Sequence, residues 1–284
     1  MSFFNFKRKS VTPENDNREK RAIVRYFEIV FTKFSKLVLL NLICFLCALP
    51  LLCGIVMMIC ASFDLTKYIE SIYFMEFLFK LAAKVMSFSM PVALILFFAS
   101  LLAYGPLMAG LTFCVRNLAT GRHIWISDLF SKAKSNLKQG IALGIIDIVV
   151  AFSMFLYFTA NISAMQGGAV MMYKVLRIVS VIVTLLYIAI RFYTYSMAVT
   201  FELPIRDLFK NAFIFLVLGF FKNIIAFVAC GFILISFVST PKIDIVLIAT
   251  IVLSLARFTA VFTTYPIIDK YMLKVAEKED SIEE

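Results

Sequence analysis

The chain has 284 residues, of which 62% are hydrophobic and 16% charged, with a mean hydropathy of +0.94. An ordinary soluble domain is nearer half apolar and a quarter charged, and 31 Phe with 13 Met exceed what one core could hide from water. A soluble globular protein and a disordered chain are therefore excluded, and the net charge of +10 implies no nucleic-acid partner once the charges are placed along the chain.

Residues 1–36 form a basic amphipathic segment with nine Lys or Arg. It is too long and polar to open a cleavable signal peptide, so the first span is expected to be retained. Thr12-Pro13-Glu14 reads as a helix start. Tyr26, Phe27, Val30, Phe31 and Phe34 then recur at helical spacing beside Arg25, Lys33 and Lys36, the pattern of an interfacial helix. Two explanations fit: a basic flank that obeys the orientation rule, or recognition of anionic lipids at the cytoplasmic face of the bilayer.

A membrane helix needs about 20 mostly apolar residues. Six runs qualify. Residues 37–59 and 88–115 are free of charge, 140–160 holds Asp147, 176–200 holds Arg177 and Arg191, 219–239 holds Lys222, and 243–266 holds Asp244 and Arg257. They define a six-span membrane domain over 37–268, with an external insertion near 61–87 and a charged cytoplasmic tail over 269–284. Pro50, Pro91 and the Gly105-Pro106 pair sit in or near the first two spans, where neighbouring helices can satisfy freed backbone groups. In the insertion, Glu76, Lys80 and Lys84 lie four residues apart, a charged stripe on an aromatic-rich helix expected along the outer surface.

Lys and Arg are retained on the cytoplasmic side, which sets the orientation. The amino-terminal segment has nine, the connection 116–138 has five, 201–210 has two, and the tail adds Lys270, Lys274 and Lys278. The opposite connections hold Lys67, Lys80 and Lys84, balanced by Asp64, Glu70 and Glu76, then Lys174, then Lys242. Both termini are expected in the cytoplasm. The six cysteines, Cys44, Cys47, Cys53, Cys60, Cys114 and Cys230, fall in or beside apolar runs. That placement argues for small packing residues over disulfides or a metal site.

Two cytoplasmic connections share a pattern. Ile126-Ser127-Asp128-Leu129-Phe130-Ser131-Lys132-Ala133 and Ile205-Arg206-Asp207-Leu208-Phe209-Lys210-Asn211-Ala212 are identical at five of eight positions. The echo suggests two hairpins of the same orientation, each entering the cytosol through a short amphipathic helix. A parallel repeat follows, whereas the inverted repeats of many alternating-access carriers would put the matching pieces on opposite sides. Convergence of interfacial helices on one composition is the alternative.

At these residues the chain resembles the YesL-like family of bacterial integral membrane proteins, a family described as a domain of unknown function. The resemblance rests on residues Asn41 to Pro50, on Gly105-Pro106 through Arg116, and on Asp128-Leu129-Phe130 followed by Asn136-Leu137-Lys138-Gln139. Phe201-Glu202 and Lys210-Asn211-Ala212 extend it, so that it covers most of the chain from residue 35 to the final span. In the family the piece ending in Leu-Pro is almost joined to the Gly-containing piece, whereas here more than fifty residues separate Pro50 from Gly105, which implies an external insertion. Members resemble multi-pass plasma-membrane proteins often encoded beside sugar-import and polysaccharide-use genes. The resemblance thus implies a transport-related role in a bacterial plasma membrane and supplies no site.

No G-x-S-x-G, H-E-x-x-H, Walker A or G-x-G-x-x-G signature occurs. The single histidine, His123, lies between Arg122 and Trp125 in a cytoplasmic connection, a place for interfacial anchoring rather than general-base work. Asn161-Ile162-Ser163 matches a glycosylation sequon, which the resemblance to a bacterial family implies to be accidental. No cofactor and no metal are expected.

The informative residues are ionisable groups inside the spans, since charge near the bilayer centre is costly and faces protein or water. At about 1.5 Å rise per residue, Asp147, Arg191 and Arg257 lie about 12, 15 and 16 Å from the cytoplasmic ends of their spans. Tyr187 and Tyr195 flank Arg191 at i−4 and i+4 and could offer hydroxyls on the same face. In one reading Asp147 bridges to one arginine while the other snorkels to the headgroups. In another, two arginines against one aspartate leave a net positive pocket for an anionic substrate, a lipid headgroup or a partner carboxylate. A third is an unrelated scatter of charges.

The expected fold is all-α, a polytopic membrane helix bundle of about six transmembrane helices with interfacial amphipathic helices. The expected function is that of a non-enzymatic, transport-associated component, an accessory to a carbohydrate importer or other transporter. The competing class is a membrane scaffold that recruits partners through its cytoplasmic amphipathic helices.

Overall fold

The computed structural model describes residues 22–63, 73–159, 168–238 and 247–273. The helix start at Thr12, the cations up to Arg21, Asp64, Lys67 and Glu70, the Asn161 sequon, Lys242, Asp244, Lys274 and Lys278 lie outside the described residues. The rest is an all-α helix bundle: α1 (Ala22–Thr32), α2 (Phe34–Phe63), α3 (Tyr73–Phe88), α4 (Met90–Ala119), α5 (Ile126–Ser135), α6 (Leu137–Thr159), α7 (Gly168–Ala198), α8 (Ile205–Leu218), α9 (Phe220–Val238) and α10 (Leu253–Ile268). Short π-helical segments, Ile248–Val252 and Asp269–Leu273, extend α10 at both ends.

Among the described residues five helices are long and apolar enough to cross a membrane: α2, α4, α6, α7 and α10 with its extensions. The pair α8 and α9 makes a sixth candidate, bent by 93° at Gly219. Each of the six expected spans is thus largely helical over its described residues, with different ends. The fourth begins at Gly168 instead of 176, because one exposed Lys174 does not interrupt a helix. The sixth continues beyond Pro266 to Leu273, whose side chain joins the core with Met272.

The core lies toward one end of the bundle. Residues from Gly105 to Ala119 of α4 and from Ala189 to Ala198 of α7 are largely buried, among α1, α5, α8 and α10. The opposite halves of α4 and α7 present Ile95, Phe98, Ile178 and Ile182 outward, apolar surface that only lipid can cover without penalty. The last helix is the most enclosed and touches α2, α4, α7 and α9.

Local chemistry explains the boundaries of α4 and the start of α5. α4 starts with Pro91 in its first turn, where a missing N–H costs nothing. It ends at Gly121, whose φ of 82° only glycine adopts freely, while the Arg122 N–H closes on the Asn117 carbonyl at 2.8 Å. α5 starts where the Asp128 carboxylate accepts the Trp125 N–H at 2.8 Å. Both echoed segments form short helices that begin at the matching isoleucine, and Leu129 and Leu208 are fully buried in each. Phe130 faces outward, whereas Phe209 packs toward Arg191.

Small residues set the approach of α4 to α6. A Cβ on Gly105 would overlap the Gly140 carbonyl and stand 2.9 Å from the Gly144 Cα, so the two backbones touch. α1 is tied down by polar bonds. Arg25 donates to the Ala119 carbonyl at 2.8 Å, capping the end of α4, and Tyr26 pairs with Thr259 at 2.7 Å. Burial pushes the Tyr26 phenol above its ordinary value, which the Thr259 hydrogen bond partly offsets. Lys36 donates to the Ile124 carbonyl at 2.9 Å and lies 3.3 Å from His123 Nε2. Two cations of the expected lipid-facing set therefore serve the bundle, while Lys33 stays exposed beside Phe27, Phe31 and Phe34. In the insertion, Leu78 and Ala82 of α3 pack against Cys53 and Val56 of α2, and Glu76 pairs with Lys80.

Candidate functional site

The antiparallel α6 and α7 bring four of the five expected site residues into direct contact. On α7 the i−4, i, i+4 spacing puts Tyr187, Arg191 and Tyr195 on one face, and that face meets Asp147 on α6. Tyr187 donates to Asp147 Oδ1 at 2.6 Å, and Tyr195 donates to Oδ2 at 2.9 Å. Arg191 Nη2 donates to the same Oδ2 at 2.5 Å and reaches the Leu143 carbonyl at 3.3 Å, while Nη1 donates to Thr194 Oγ1 at 3.0 Å. Both carboxylate oxygens are engaged. The side chains of Arg191 and Asp147 are only 9% and 14% exposed, so the pair is screened little by solvent.

Arg257 joins the cluster without touching Asp147. Its Nε donates to Thr112 Oγ1 on α4 at 3.0 Å, and Nη1 lies 3.4 Å from the Arg191 carbonyl. The guanidinium is turned into the bundle instead of snorkelling outward. Arg191 and Arg257 both lie over the Tyr195 ring, at 4.3 and 5.3 Å from its centroid, so one aromatic face system shares two cations. Two N–H groups remain without partners here although buried: Arg257 Nη2 and Arg191 Nε.

A third buried cation escaped the sequence reading. Arg116 counted there among the cytoplasmic loop charges, yet it is 4% exposed. Its Nη1 donates to Thr200 Oγ1 at 2.7 Å and its Nη2 to Asn117 Oδ1 at 3.0 Å, and the guanidinium sits 4.8 Å from the Phe113 ring centre. Neutral groups thus hold this charge between the ends of α4 and α7. The available signal was Thr112 and Arg116, polar residues four apart near the end of an otherwise apolar run.

Two asparagines form further polar joints. Asn41 donates to the carbonyls of Ile248 and Ala249 at 2.9 and 2.7 Å, and its oxygen accepts the Ser254 N–H at 2.7 Å. One side chain thereby completes the backbone ladder that the π-helical segment leaves open. Asn223 accepts from the Tyr193 hydroxyl at 2.7 Å and donates to the Leu216 carbonyl at 3.0 Å, across the bend between α8 and α9. Among the described residues no three of His, Cys, Asp and Glu converge as metal ligands.

The class these features define is a polytopic α-helical membrane protein with an arginine-rich polar centre among its spans. No protein-family model, curated protein or solved structure matches the chain.

Proposed function

We propose that this chain is a non-enzymatic, transport-associated component of a bacterial plasma membrane, an accessory to carbohydrate import of the YesL-like kind. In this reading both termini are cytoplasmic, and α1 rests its apolar face of Ile23, Phe27 and Phe31 on the cytoplasmic leaflet with Lys33 toward anionic headgroups. The observation that carries it is the polar centre itself: two arginines and one aspartate lie where α4, α6, α7 and α10 meet, and charge inside a membrane is retained where it serves a pathway or a partner. The test is extraction in mild detergent followed by reconstitution. Co-purification with a transporter, or solute flux in liposomes, supports the reading. A protein that purifies alone and moves no solute would refute it. Cysteine labelling at positions 130 and 207 from the cytoplasmic side alone is expected from the orientation.

A second reading, a scaffold that recruits partners, draws on α5. Trp125 and Phe130 are exposed beside Lys134, an amphipathic face on a short helix that leaves the bundle available to a neighbour. Stable co-purification with proteins unrelated to transport would favour it.

A further inference from the structure

Arg257 is the cation that the Asp147 carboxylate does not neutralise. The two oxygens of Asp147 already accept from Tyr187, Tyr195 and Arg191, and among the described residues Arg257 has only a hydroxyl and a backbone carbonyl as acceptors. A lysine in such a place could shed its proton, but a guanidinium keeps its charge at every physiological pH. An uncompensated charge away from water carries a penalty of several kcal/mol, and an unmet N–H adds to it. Both orphan donors, Arg257 Nη2 and Arg191 Nε, belong to the two guanidiniums that share the Tyr195 ring. Donors on two separate side chains call for an acceptor whose oxygens point in more than one direction. The tetrahedral oxyanion of a phosphate group has that shape, and guanidinium–phosphate pairs are among the strong hydrogen bonds. Arg257 as a whole is half-buried, and its Nη2 is withdrawn from water.

We propose that Arg257, with Arg191 beside it, binds a phosphate-type oxyanion, free or as a lipid headgroup. The proposal rests on the reading above in one respect, that this cluster is the functional centre, and names the ligand class of that centre. Asp147 then acts as a positioning residue that fixes Arg191.

The test uses full-length protein. It is melted in neutral detergent with sodium phosphate against sodium chloride at matched ionic strength, and in the same phosphate-free detergent with and without added phosphatidylglycerol, because phosphatidylcholine would itself supply a phosphate group. Phosphate also stabilises folded proteins by exclusion from their surfaces, so the shift that matters is the part lost in Arg257→Gln. The expected result is a rise of several degrees for the wild type and none beyond the exclusion effect for Arg257→Gln. Without anion that variant is expected to melt at or above the wild type, since an unpaired charge is gone. A rise with phosphate identifies a free anion, and a rise with phosphatidylglycerol alone identifies a headgroup. No Arg257-dependent rise in either medium overturns the proposal. Should Arg257→Gln fail to fold, Arg257→Lys carries the test: it keeps the charge and loses the fork, and apparent affinity should fall about tenfold, the worth of one charge-assisted hydrogen bond. Unchanged affinity in that variant overturns the proposal. Co-purification and flux are read separately, so failure of anion binding leaves the transport reading standing, and the converse.

Discussion

The segments α4–α5–α6 and α7–α8–α9 open alike and end differently. Each is a long helix, a sharp exit, a short amphipathic helix with a fully buried leucine, a one-residue break and a further membrane helix. In the first, α6 folds back onto α4, and the Gly105, Gly140 and Gly144 backbones meet. In the second, α9 lies along α10, and α7 reaches it chiefly through Tyr193 to Asn223 and the Phe192–Phe227 ring contact at 5.2 Å. The difference follows from glycine placement. α7 has glycine only at its first residue, and Gly231 on α9 faces open space, so no pair of backbones can approach as closely there. A repeated motif therefore sets the local shape of each unit, and small residues elsewhere decide which neighbour the outgoing helix joins.

The seam between the two units carries the largest expected effect. Asp147→Asn leaves Arg191 without its counter-charge and should cost about 3–5 kcal/mol, seen as reduced folded yield and a lower melting temperature. Combining it with Arg191→Gln should recover much of that loss, since no unpaired charge stays behind in the pair. A double variant no better than the sum of the singles would show that the bridge does not join the units. Next, Gly105→Ala should cost about 1–3 kcal/mol as α4 and α6 are pushed apart. Gly231→Ala should instead gain about 0.5–1 kcal/mol through helix propensity, because nothing stands near its Cβ. Equal responses at the two glycines in thermal melts would erase the contrast. The smallest effect is expected at the bend: Tyr193→Phe removes one intramembrane hydrogen bond to Asn223, worth about 0.6 kcal/mol.

Much of the framework was legible in residue order. Apolar runs located six helices, and Tyr187, Arg191 and Tyr195 at four-residue spacing marked the face that meets Asp147. What resisted reading depends on partners distant in sequence. Arg257 faces inward because Thr112 lies opposite it, 145 residues away. Arg116 is buried because Thr200 and Asn117 offer it neutral acceptors, which leave no charge pattern to detect. The bend at Gly219 is held by Asn223, whose amide donates to the Leu216 carbonyl across it, and an asparagine at that place suits a straight helix equally well. The Gly105-Pro106 pair stood out in the sequence for its freed backbone groups, but the close approach of Gly105 to Gly140 and Gly144 could be named only from the packed helices.

The π-helical segment Ile248–Val252 also works as slack taken up within the last span. A π turn holds one residue more than an α turn for the same full rotation, so it absorbs a surplus residue without turning the side chains that follow. Arg257 therefore keeps the azimuth of a regular helix one residue shorter. What the surplus residue changes is the backbone, and Asn41, on a helix laid down some two hundred residues earlier, takes up the Ile248 and Ala249 carbonyls and the Ser254 N–H. Deleting Thr250 would let the helix close regularly, leave Arg257 facing Thr112 and Tyr195, and strand the Asn41 amide inside the bundle. The protein would keep the aim of its polar centre and lose the joint between α2 and α10, a failure that thermal melting would register and the anion-dependent shift would not.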